Sequence, residues 1–94
     1  MRLWLPNGPV VNDPLKKLRA RIDALDDRML ELLNARAALA QEIGRAKSGA
    51  KYRPEREAQV LRRLARRNLG PLPQQALTRL YVEVMSACRA LEDG

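Results

Sequence analysis

Residues 13–47 read DPLKKLRARIDALDDRMLELLNARAALAQEIGRAK, and apolar side chains recur through them at alternating spacings of three and four. Leu15, Leu18, Ile22, Leu25, Met29, Leu32, Leu39, Ile43 and Ala46 form the series, and Arg36 fills the slot between Leu32 and Leu39. This is the spacing of a helix that lays one stripe against other helices. An arginine on such a stripe loses water, and an unpaired buried cation is costly. The sequence therefore predicts an anion against Arg36, either an internal carboxylate or a ligand.

Working outward, Asp13 offers an N-cap and Pro14 a favourable first helical position. The first helix is expected from about residue 14 to 46 or 47, with Gly44 a weak point inside it and Ser48-Gly49 the stop. Residues 1–12 read as a flexible leader, and residues 13–94 as one domain. Pro54 opens a second helix whose first turn carries Glu55 and Glu57, which suit the helix dipole. Its apolar face is Ala58, Val60, Leu61, Leu64 and Ala65, and Asn68, Gly70, Pro71 and Pro73 end it. The third helix is expected from about Pro73 to Glu92, with Leu77, Leu80, Tyr81, Val84, Cys88 and Leu91 inward. The fold class is all-α, a three-helix protomer with one very long first helix.

That length has a consequence. A helix of ~33 residues is ~50 Å long, whereas a compact monomer of this size is only ~30–35 Å across. The apolar seam runs to the end of the helix, so a second copy of the chain is expected to cover the excess, as an intertwined helical homodimer. A long two-stranded coiled coil is the alternative arrangement.

Composition narrows the chemistry. The 94 residues include one cysteine, Cys88, and no histidine, so no internal disulfide is expected, no metal site, and no hydrolase of the Ser-His type. No apolar run reaches the ~20 residues of a membrane span, and Leu3-Trp4-Leu5 is too short for a signal-peptide core. A cytoplasmic protein with no membrane partner is expected. The formal charge of +7 suits nucleic acid, an anionic surface or an acidic small molecule. Its densest cluster, Arg62, Arg63, Arg66 and Arg67, spreads over an exposed helical face and reads as solvated surface.

Four polar residues fall on or beside apolar faces. Arg36 and Lys47 are eleven positions apart, which is three turns plus about 20°, so they share a face ~16 Å apart along the axis. A small anion could lie between them. Glu57 shares the face of Val60, Leu61 and Leu64, and Glu92 follows Cys88 by one turn. Arg19, seventeen positions before Arg36, is rotated about 100° from it and could reach only a partner's pocket. Two cations on one face and a third from a partner match a small dicarboxylate, since arginine binds carboxylates in bidentate fashion.

These residues carry a family resemblance. Leu18-Arg19-Ala20-Arg21-Ile22-Asp23-Ala24-Leu25-Asp26, then Leu32-Leu33-Asn34-Ala35-Arg36, then Glu42-Ile43-Gly44-Arg45-Ala46-Lys47 resemble the first helix of the all-helical chorismate mutases. Tyr52-Arg53-Pro54-Glu55-Arg56-Glu57-Ala58 looks like their second-helix motif. The likeness covers about residues 15–92. It is strongest to the mutase portion of bifunctional chorismate mutase/prephenate dehydratases, in which the dehydratase would start shortly after residue 94.

The resemblance implies a cofactor-free rearrangement of chorismate to prephenate in an interlaced homodimer. Arg36 would bind a substrate carboxylate, and Arg19 of the other protomer would hold the second. Lys47 and Glu92 would donate to the ether oxygen, Glu57 would accept from the ring hydroxyl with Arg56 in support, and Cys88 would line the pocket. Glu92 must be protonated to donate, so either burial raises its pKa or turnover improves as pH falls. Arg53 stands where many members carry Asp, which alters the corner near the ring hydroxyl. The alternatives are an isochorismate pyruvate-lyase on the same fold, a non-catalytic helical dimer, and a nucleic-acid-binding module. The last does not account for Arg36 in the seam.

Overall fold

The structure is a computed structural model that describes the backbone of residues 8–46 and 53–93 and the side chains of residues 13–46 and 53–92. Three helices run in the order α1 (Gly8–Ala46), α2 (Pro54–Arg67) and α3 (Gln74–Asp93), with no strand among the described residues. α1 begins six residues before the expected start at Pro14, which lies inside it. Pro9 falls in the first turn, where a missing N–H removes no helical bond. Pro14 deletes one hydrogen bond near the end of a long helix, too little to stop it.

The chain divides into two compact units, Met1–Leu32 and Leu33–Gly94. In the first, residues 13–32 are helical and every one of them is exposed. Its stripe of Leu15, Leu18, Ile22, Leu25, Met29 and Leu32 therefore faces solvent along its whole length, with Leu25 63% exposed. The polar side carries an exposed Arg28–Glu31 ion pair one turn apart, worth a few tenths of a kcal/mol.

The second unit holds the end of α1 with α2 and α3. α2 has Pro54 in its first turn, acidic Glu55 and Glu57 at its start, and Arg66 and Arg67 at its end. All four charges suit the helix dipole. The amide of Glu57 donates to the carbonyl of Arg53 at 3.0 Å and closes the first turn. At the other end the Asn68 side chain accepts from the amide of Gly70 and donates to the carbonyl of Leu72. Gly70 there takes φ +78°, a conformation only glycine adopts freely, before a cis bond to Pro71. This short turn returns the chain as α3, antiparallel to α2.

Ala40, Val60, Met85 and Cys88 form the buried core of this unit. Val60 belongs to the expected α2 face, and Cys88 to the expected α3 stripe. Leu80 and Leu91, expected inward, are exposed, and Met85 takes the inward place. On α1 the face turned to the core runs through Ala40 and Gly44, while Leu39 and Ile43 remain exposed at 59% and 46%. Small side chains allow the helices to approach there. A Cβ at Gly44 would lie 2.5 Å from the Glu92 carbonyl oxygen and 2.8 Å from its Cα. Gly44 is thus a point of backbone contact that seats the end of α3.

Gly44→Ala is expected to destabilise the protein in spite of alanine's better helix propensity. Propensity offers up to about 1 kcal/mol, whereas overpacking against rigid backbone costs about 1–3 kcal/mol. A thermal melt should show a Tm lower by several degrees. A Tm equal to or above that of the unmodified protein would contradict the contact.

Candidate functional site

A cavity of about 500 Å³ opens in the second unit, walled by all three helices. α1 contributes Arg36 with the apolar Leu39 and Ile43. α2 contributes Arg56, Glu57 and Val60, and Arg53 joins them from the position just before the helix. α3 contributes Cys88, Arg89 and Glu92, above Met85. Four arginines against two glutamates leave the lining with a net charge of +2. Such a wall favours a dianion with an apolar body.

Arg36 enters one helical turn before the buried Ala40 and is itself half-buried. Its guanidinium sits over the Tyr81 ring, 5.6 Å from the centroid. That contact supports a cation while leaving its N–H groups available. Among the described residues no carboxylate pairs with Arg36, so the anion its position calls for is not internal there.

Glu57 projects from the first turn of α2, and its Oε2 accepts from Arg89 Nη1 on α3 at 2.5 Å. Both side chains are largely withdrawn from water, at 25% and 29% exposed. Arg56, one residue earlier, is exposed, and its Nη1 donates to Gln59 Oε1 at 2.7 Å. Cys88 is a buried free thiol. Glu92 is half-buried, on the turn of α3 that Gly44 contacts.

Of the residues singled out in the sequence, the cavity gathers Arg36, Arg56, Glu57, Cys88 and Glu92. Arg19 belongs to the first unit and is exposed. It borders a shallow hollow with Leu15, Lys16, Ala20 and Asp23 that only one helix forms. Lys47 lies outside the described residues. The sequence reading missed Arg89 as a lining residue. Its available signal was its place between Cys88 and Glu92 on a face already assigned inward. Arg53, noted as a departure from the family pattern, also reaches the wall. Among the described residues no cluster of acidic or thiol groups could hold a metal ion.

The described residues thus form an all-helical unit in which four arginines line one small cavity. Comparison with known proteins fixes the family: residues 18–93 match the family model described as chorismate mutase type II. The chain belongs to the type II chorismate mutase family. It is 48% identical over 88 residues to the bifunctional chorismate mutase/prephenate dehydratase of Stutzerimonas stutzeri, an alignment covering 85% of this chain and 24% of the relative. The enzyme of the same description from Neisseria gonorrhoeae is 53% identical over 75 residues, covering 79% of this chain and 21% of the relative. The chain thus spans about a quarter of the length of these relatives or less. Among solved structures, chorismate mutase from Helicobacter pylori in complex with prephenate superposes with a TM-score of 0.80 at 36% identity, covering 86% of this chain and 91% of that one. Chorismate mutase from Thermus thermophilus gives 0.82 at 35% identity, with coverage of 85% and 94%.

Proposed function

We propose that this chain rearranges chorismate to prephenate, and that the observation carrying this reading is the net +2 cavity around Arg36. The reaction breaks one carbon–oxygen bond and forms one carbon–carbon bond within a single molecule. It therefore needs no nucleophile and no redox partner. What it needs is a compact conformer of the substrate and stabilisation of the negative charge that grows on the ether oxygen. Arg36 binds one substrate carboxylate by its paired N–H groups. Glu57 accepts from the ring hydroxyl, with Arg56 beside it and Cys88 lining the wall. Lys47 and Glu92 donate to the ether oxygen. No cofactor enters this scheme.

The second carboxylate falls to Arg19 of a partner protomer in a homodimer. This assignment is supported by the uncovered stripe that carries Arg19's own helix. Six large apolar residues there are roughly half exposed, and each contributes about 1 kcal/mol when fully buried. A second copy of the same stripe is the cover that matches its pattern. Among the described residues no helix is long and apolar enough to cross a membrane, and we place the enzyme in the cytoplasm. In the bifunctional relatives the same polypeptide carries a prephenate dehydratase, and a fused dehydratase is the corresponding proposal for the native protein. Its length on a denaturing gel tests that.

The direct test is to incubate the protein with chorismate and identify the product by NMR. Prephenate is expected, without added metal or cofactor. Pyruvate released when isochorismate is supplied in place of chorismate would point to a lyase instead, and unchanged chorismate would refute the mutase reading. Glu92→Gln, which keeps a hydrogen-bond donor at that position, should retain turnover, whereas Glu92→Ala should lose most of it. Undiminished turnover in Glu92→Ala would remove Glu92 from the donor role.

A further inference from the structure

We propose that Arg89 is a positioning residue, whose guanidinium fixes the Glu57 carboxylate toward the cavity so that it can accept the substrate's ring hydroxyl. This rests on the mutase reading of the same cavity. Glu57 and Arg89 stand on different helices, thirty-two positions apart in sequence, and meet through Glu57 Oε2 and Arg89 Nη1. Both line the cavity. The bridge is therefore part of the wall that a ligand touches.

A glutamate in the first turn of a helix has three rotatable bonds and would otherwise sample many rotamers. Ordering such a side chain costs conformational entropy, and a preformed ion pair meets that cost before substrate arrives. The pair occupies Oε2 and leaves Oε1 to the hydroxyl. It also keeps a charged acceptor matched by a neighbouring cation, so that a half-buried carboxylate is not left uncompensated among apolar neighbours. Arg89 touches Glu57 from the α3 side, one turn before Glu92 and next to Cys88. It thus ties the hydroxyl-accepting corner to the helix that carries the proposed ether-oxygen donor.

The test is a double-mutant cycle on the dimeric protein with chorismate as probe. R89M is expected to lower kcat/KM about tenfold, chiefly through KM, the size set by one side chain left unordered. R89K, which keeps the charge and loses the planar fork, should recover part of the loss. In the E57Q background R89M should cost less than about twofold, because its target is already altered. Circular dichroism and thermal melts confirm that each variant is folded.

Equal losses from R89M in both backgrounds would overturn the proposal, since Arg89 would then act through something other than Glu57. A lowered Tm with kcat/KM unchanged in R89M and R89K would also overturn it, leaving a purely structural bridge. An unmodified protein that leaves chorismate intact would overturn the mutase reading and this role together. An active protein whose R89M variant matches it would overturn the role alone.

Discussion

Arg36→Ala is expected to lower chorismate conversion by about a thousandfold, the equivalent of about 4 kcal/mol of transition-state binding, in a protein that stays folded. Two features set the sizes of these effects. Arg36 is the cation on α1 in the cavity wall, which it shares with the apolar Leu39 and Ile43. A charged, bidentate contact is among the strongest a protein makes. The fold depends on Arg36 much less. Its contact within the described unit is the Tyr81 ring, and a cation–π pair of this kind contributes about 0.5–1 kcal/mol. Arg36→Lys should fall between the two, keeping charge without the fork. Kinetics with a parallel thermal melt read both quantities. An Arg36→Ala protein that fails to fold would make Arg36 a structural residue, and one of undiminished activity would remove it from the site.

Ile22→Asp is expected to convert a dimer to a monomer and to abolish activity with it. Ile22 is 56% exposed in the single chain, in the middle of the stripe from Leu15 to Leu32. In an isolated helix this change costs only a few tenths of a kcal/mol. In a dimer closed along the stripe, each protomer instead buries an unpaired carboxylate, at several kcal/mol per site. The two copies compound the effect. Light scattering across a concentration series reads the mass, and the chorismate assay reads the consequence. If the unmodified protein is monomeric, or if Ile22→Asp remains an active dimer, the stripe is not an interface.

Much of this arrangement is legible in the sequence because proline, glycine and charge punctuate it. Pro54 with Glu55 and Glu57 marks the start of α2, and Asn68 to Pro73 marks the turn into α3. Arg36 stands out because it interrupts a regular apolar series. What periodicity does not show is which of two adjacent faces is buried. α3 is apolar over a wide arc, so Met85 and not Leu80 or Leu91 turns inward. On α1 the contact face passes through Ala40 and Gly44, whose small side chains carry no pattern yet permit close approach of the backbones. Pro14 looks like a start because proline suits a first turn, although a long helix tolerates it near its end. The Glu57–Arg89 pair joins two helices at long sequence separation, and only their packing brings it together.

If positive side chains from two protomers enclose one doubly negative substrate, two inactive variants should complement each other when mixed. Arg19→Ala and Arg36→Ala should each be inactive alone. Unfolded together and refolded, they should regain about a quarter of the unmodified activity, because half the dimers are hybrids and each hybrid has one intact site. A mixture as inactive as its components would contradict the shared site, as would an Arg19→Ala protein that needs no partner for full activity.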